Sequence, residues 1–178
     1  MTGRFTIVDA RPWHVGQMAR RLRVEHLRAV ALAGLDAHRE LRSCYDASCY
    51  RKAMFIDDRI IALGGVMAPL LASTGYIWLA MTAEAARHPV AIAREARRQL
   101  DQISTMKIEL ATTLLSDDDA ARRFAISLGF HVGHDGPGRQ ATSRAGRRVL
   151  NRYLDECDQR VPVGRATAIA VGYHREAA

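Results

Sequence analysis

Apolar runs of strand length alternate with amphipathic helical stretches along the chain, and that alternation predicts an α/β fold. Three observations carry the prediction. The stretch AARRFAISLGF, Ala120 to Phe130, reads as a short amphipathic helix that Gly129 stops and that turns directly into the apolar strand FHV. The runs CYRKAMFID and RIIALGGVMAP meet at Asp57-Asp58, which reads as a hairpin between antiparallel strands. Finally, the strand GYIWLAMT, a helix from Pro89 to Ile103 and the strand MKIELATTLLS follow one another, in the order of a strand, crossover helix, strand unit.

Each element has a local cause. RFTIVDAR, residues 4–11, alternates as a first strand, and Pro12 then opens the helix PWHVGQMARRL at the position where a missing N–H costs nothing. Arg23 to Ser43 continues the helical spacing through Leu27, Val30, Leu35 and Leu41 and is interrupted near Gly34, so two helices are expected before the hairpin. The Pro89 helix carries Ile92, Ala96, Leu100 and Ile103 on one stripe and Arg94, Arg97, Arg98 and Asp101 on the other. Leu114-Leu115 closes the fifth strand. Ser116 is placed to N-cap the next helix, and Asp117, Asp118 and Asp119 fall in its first turn, where carboxylates offset the helix dipole. Beyond FHVGH, the segment DGPGRQATSRAG reads as a loop and RRVLNRYLDE as the last strand. Cys157 to Ala178 shows no clear period and reads as a tail, and no internal repeat is present.

A chain of 178 residues that is 48% hydrophobic and 25% charged fits one domain with a real core. No run reaches the ~18 apolar residues of a membrane span, and MTGRFTIVDAR lacks the layout of a signal peptide, so a cytoplasmic protein without a membrane partner is expected. Cys44, Cys49 and Cys157 are odd in number and lack the spacing of a zinc site, which makes them reduced thiols; His131 and His134 read as surface histidines, and no metal is expected. The net charge is +7, and only Lys52 and Lys107 among the basic residues are lysine. Two causes give that signature: arginine forks suited to phosphate and nucleic acid, or a coding bias without any binding role.

The order strand, two helices, three strands, helix, strand, helix, two strands, with Leu-Gly-Phe after the fifth strand, resembles the GNAT (Gcn5-related N-acetyltransferase) fold over residues 4–155. The resemblance implies a GNAT-like domain over residues 1–155 and a C-terminal tail over 156–178. Within the domain it implies a central mixed sheet splayed between strands four and five, with flanking helices. It further implies that GYIWLAMT and KIELATTLL are parallel neighbours beside an acyl-CoA cleft. In active members, strand four is followed by an Arg/Gln-x-x-Gly-x-Gly/Ala loop whose amides hold the acyl-CoA pyrophosphate at a helix N-terminus. The matching stretch here is RHPVAI. Arg87 fills the basic position, Val90 and Ile92 bring β-branched side chains to the glycine places, and Pro89 removes a donor. The resemblance therefore assigns acetyl-CoA only weak binding, through Arg87, the amides of Val90 and Ala91, and Arg94.

Active members also carry a tyrosine on the helix before Leu-Gly-Phe that protonates the leaving thiolate. Counting back from Gly129 puts Ala125 at that place, Phe124 at the preceding aliphatic place, Ala121 at an alanine and Asp118 at an asparagine. The general acid is absent, and Tyr45, Tyr50 and Tyr76 read as packing tyrosines. The candidates for a general base are Glu84, just past strand four, and Glu109, inside strand five. Trp78, in IWLAMT, reads as a core indole that needs one N–H partner.

A Trp-aliphatic strand, a threonine, an acidic residue, a glycine-free loop and a basic helix together are similar to GNAT-like proteins of tailed bacteriophages, among them internal virion proteins. The matching residues are Trp78, Leu79, Thr82, Arg94, Arg97, Arg98, Arg123, Phe124, Leu128 and Gly129. This likeness implies weak or lost acyl transfer, a virion or other protein partner, and residence in the host cytoplasm or in the virion. A nucleic-acid partner through the arginine-rich face is a further expectation, and a working acetyl-CoA-dependent N-acetyltransferase on a small-molecule or protein amine is the alternative.

Overall fold

The computed structural model describes residues 4–32, 34–67, 74–104, 109–115, 117–132 and 168–174. They fall into two compact units. The first draws on Met1–Ala68 and Tyr76–Glu95, the second on Pro69–Gly75 and Ala96–Ala178.

The first unit opens with β1 (Phe5–Asp9), α1 (Pro12–Ala19), α2 (Val24–Leu32) and α3 (Ala37–Ala47). Three helices stand where two were expected, because the chain breaks between Arg20 and Arg23 as well as at Gly34. Pro12 is the first residue of α1, as its missing N–H predicts. α2 ends in a Schellman motif: Gly34, at φ 68°, donates its N–H to Ala31 O (3.0 Å), and Leu35 N–H reaches Val30 O (3.0 Å). Asp36 caps α3, its carboxylate accepting from Arg39 N–H at 2.9 Å.

β2 (Ser48–Ile56) and β3 (Arg59–Met67) form the expected antiparallel hairpin. Asp57 and Asp58 have φ of 44° and 65°, the left-handed pair that a two-residue type I′ turn needs. β1 pairs antiparallel with β2, and β3 with β4 (Thr74–Met81). The core lies where α1 and α3 cover this sheet: Val15, Met18 and Leu22 meet Leu41, Cys44 and Tyr45 over Ala53, Ile60, Leu63, Trp78 and Ala80. Trp78 is the core indole expected, and its Nε1–H donates to Ser48 Oγ at 2.7 Å. Tyr45 is a packing tyrosine, with its hydroxyl on Ala10 O (3.2 Å) and Arg51 stacked over its ring at 4.5 Å.

α4 (Pro89–Ser104) follows a 3-10 turn, Ala83–Arg87, and buries the stripe Ile92, Leu100 and Ile103. In the second unit, β5 (Glu109–Leu115) precedes α5 (Asp119–Ser127) and the two-residue β6 (His131–Val132). The cap of α5 differs from expectation. Asp118 is the N-cap, accepting from Ala121 N–H at 2.9 Å, and only Asp119 lies in the first turn. Ser116 lies outside the described residues. The Leu-Gly-Phe end is a second Schellman motif, with Gly129 at φ 93° donating to Ile126 O (2.9 Å) and Phe130 to Ala125 O (3.1 Å).

The largest correction concerns the tail. Ala168–His174 is a strand, β7, paired antiparallel with β5 along its whole length, Leu115 opposite Ala168 and Glu109 opposite His174, and paired on its other side with β6. Its sequence AIAVGYH alternates small with large rather than polar with apolar, so the usual contrast of a half-buried strand is missing. The expected last strand, RRVLNRYLDE, and the loop before it lie outside the described residues, as does Cys157. Cys44 is a buried free thiol and Cys49 an exposed one.

Candidate functional site

The candidate site is the passage from the end of β4 into α4, all within the first unit. Thr82 leaves β4 in extended conformation, and its N–H donates to Ile61 O of β3 at 3.0 Å. The 3-10 turn follows, with Ala85 buried beneath it. Glu84 lies in its first turn, half-buried, and Arg87 is its last residue, exposed. His88 then turns the chain: its N–H donates to Ala85 O (3.0 Å), its ring meets Phe5 of β1 edge-on at 5.5 Å, and its carbonyl accepts from Ile92 N–H (3.1 Å) as the first bond of α4.

That last bond makes Pro89, Val90 and Ala91 the first three helical residues. A helix leaves its first N–H groups without an intrahelical acceptor, and here Pro89 has none to offer, so two amides, Val90 and Ala91, face the helix N-terminus. Val90 is 76% exposed and stands at the helix mouth, as its β-branched side chain was expected to. Ile92 does not. It is buried in the stripe of α4, so only one of the two residues at the glycine places crowds the helix end. Arg94, one turn into α4, is exposed. Glu84, Arg87, Val90, Ala91 and Arg94 thus fall within eleven consecutive residues around the start of α4, and among them are two backbone donors and two guanidinium groups.

Glu109 opens β5 in the second unit. On α5, Ala125 is 5% exposed and so occupies the tyrosine place as a packing residue, while Asp118, at the asparagine place, is spent as the helix cap. Among the described residues, no group of three or more His, Cys, Asp or Glu side chains is placed to share a metal ion, and no helix is long and apolar enough to cross a membrane.

Two histidines here escaped the sequence reading. His88 lies between Arg87 and Pro89, in plain view, but its contact is with a strand more than eighty residues earlier. His26 accepts from Met81 N–H at 3.1 Å across 55 residues. No local signal in α2 marks it. Thr82, 4% exposed, buries a hydroxyl that has no hydrogen-bond partner among the described residues.

The architecture is that of the GNAT acetyltransferases, an α/β fold. A crystal structure of the ribosomal-protein-S18-alanine N-acetyltransferase from Escherichia coli matches with a TM-score of 0.63 at 13% identity, over 98% of this chain and 96% of that one. A GNAT-family acetyltransferase from Streptococcus pneumoniae matches with 0.59 at 12% identity, over 97% and 100%. The microcin C7 self-immunity acetyltransferase, solved with acetyl-CoA and AMP, matches with 0.61 at 9% identity, over 96% and 92%. No protein-family model and no curated protein matches the sequence.

Proposed function

We propose that this chain is a GNAT-fold protein of the bacteriophage type, whose acyl transfer is weak or lost and whose role is in the virion or its assembly. The observation that carries the proposal is the start of α4, where Pro89 removes one amide and the exposed Val90 stands beside the two that remain. A helix N-terminus without close backbone approach holds a pyrophosphate poorly, because a Cβ at the mouth keeps the phosphate oxygens away from the N–H groups. Ala125 supports the same reading: an acid that contributes ~10²–10⁴ in rate has no counterpart at that position. The virion role rests on the likeness of Trp78, Thr82, the arginines of α4 and the Leu-Gly turn to the phage proteins. It brings with it a protein partner, residence in the host cytoplasm or virion, and contact with nucleic acid through Arg94, Arg97, Arg98 and Arg123.

One observation favours a second reading, an acetyl-CoA-dependent N-acetyltransferase. Structural likeness to such enzymes extends over nearly the whole chain, one of them solved with acetyl-CoA, and the exposed Arg87 and Arg94 lie just before α4 and just after its first turn. Calorimetry decides between them. At low salt, acetyl-CoA should bind no tighter than ~100 μM, about −5.5 kcal/mol, and replacing Pro89 and Val90 by Gly should tighten it. Low-micromolar binding by the natural chain would favour the enzyme.

A further inference from the structure

β1 ends the sheet, with β2 on one side and, among the described residues, no strand on the other. At the two ends of their pairing Asp57 N–H donates to Arg4 O (3.3 Å) and Ala10 N–H to Arg51 O (3.2 Å). Backbone groups alternate along an antiparallel ladder, so Arg4, Thr6, Val8 and Ala10 turn theirs to β2, while Phe5, Ile7 and Asp9 turn theirs away from it. The N–H and C=O groups of those last three residues form an open edge.

Proteins commonly blunt such an edge with proline, lysine or a bulge. FTIVD has none of these and presents apolar side chains instead: Phe5 is 36% exposed, Val8 37%, and Trp13, in the first turn of the helix that follows, 63%. The Trp13 ring meets His14 at 5.6 Å, His14 meets Phe55 at 5.2 Å, and Phe55 stands opposite Thr6. α1 therefore lies over the face of β1 that bears Arg4, Thr6 and Val8.

We propose that this edge pairs with β1 of a second copy of the chain, antiparallel about a two-fold axis at Ile7. In that register Ile7 faces Ile7, Phe5 faces Asp9, and every outward N–H and C=O of the strand finds a partner. The side chains suit a copy of themselves. Thr6 stands opposite Val8, Arg4 opposite Ala10, and no like charges face one another, while Asp9 keeps Lys52 of its own β2 at 2.7 Å. Arg4, exposed, comes to lie on the α1 side beside the partner's Trp13, a cation next to an exposed indole, and the two-fold axis repeats that contact. A foreign strand would have to supply such a cation itself.

Site-resolved amide hydrogen exchange on the full chain, with sedimentation equilibrium on the same samples, tests the pairing. Between roughly 1 μM and 1 mM protein, the range expected of a small interface, monomer should give way to dimer. The amides of Phe5, Ile7 and Asp9 should slow ~100-fold over that range, while those of Thr6 and Val8, already in the β2 ladder, stay unchanged. Ile7→Pro removes an outward donor where an edge strand tolerates proline and should abolish the dimer. Trp13→Ala should weaken it ~10-fold. A monomer throughout the range overturns the proposal, as does a dimer that is indifferent to Ile7→Pro or whose Ile7 amide stays fast, because its interface then lies elsewhere. Slow Ile7 exchange in the monomer overturns it too, since the edge is then already covered within one chain.

Discussion

Gly65 shows how one missing side chain organises the first unit. A Cβ there would meet Tyr50 O at 2.6 Å, Ser48 Oγ at 2.9 Å and Trp78 Nε1 at 3.0 Å, so only glycine lets β3 pass beneath the Trp78–Ser48 hydrogen bond. Ser48 passes the connection on, donating to Cys44 O at 2.6 Å, and in this way the last turn of α3 is tied to β2 and β4. Ser48→Ala leaves the buried Trp78 N–H without its acceptor and should cost ~1–3 kcal/mol in chemical denaturation; a loss under ~0.5 kcal/mol would mean the bond is not structural. His14 has a comparable duty at the start of α1. Its Nδ1 accepts from Arg11 N–H at 3.0 Å while its ring lies buried against Phe55, and burial first, then the charge of Arg11, holds its pKa below the usual 6.5. The unfolded chain therefore takes up this proton first as pH falls. The contribution of His14 is fully present above about 6.5 and is lost as pH drops towards the lowered folded value. Melting temperatures at pH 7.5 and 5.5, values chosen roughly to bracket that window, should differ more for the natural chain than for His14→Asn, which can accept the same bond without titrating.

At the scale of elements, ends are set by single residues, and α5 is the clearest case. Its start depends on Asp118 and its stop on Gly129. Asp118→Ala should cost ~0.5–2 kcal/mol, measured by denaturation, whereas Asp119→Ala, which loses a first-turn charge and an exposed pair with Arg122, should cost much less. Equal losses would contradict the assignment of the cap. These ends explain which elements were legible in the sequence. Pro12, the Asp57-Asp58 turn, Pro89 and the glycines at 34 and 129 act through their own backbones, so their effects show without tertiary context. Asp118 was hidden because Ser116 and three aspartates in a row are all competent caps, and geometry alone selects among them. β7 was hidden for a different reason: AIAVGYH alternates small with large residues rather than polar with apolar, so it offers no amphipathic period to read. The hold of His26 on Met81 depends on a contact 55 residues away, which no window of sequence contains.

For the whole molecule, the fold rests on many positions and the proposed loss of acyl transfer on few. The match to GNAT structures covers 96–98% of the chain, although identity to the three named above is 13% or less. On the proposed reading, Pro89, Val90 and Ala125 are the few positions that weaken acyl-CoA binding and transfer. Fold survives such drift because it rests on many apolar positions, such as Val15, Met18, Leu63 and Leu110, whereas transfer rests on a few placed groups. Arg87, Pro89, Val90 and Arg94 lie within eight residues of one turn and helix start, so their nearness is legible from spacing, whereas the burial of Ile92 needed the structure. The most direct measurement is acetyl-CoA turnover with primary amines, including a peptide with an N-terminal alanine, followed by chromatography of released CoA because the exposed Cys49 would react with a thiol dye. The expected result is release at the rate of buffer and amine alone, unchanged as protein concentration rises. Steady release in proportion to the natural protein would contradict the account and make this chain a working acetyltransferase.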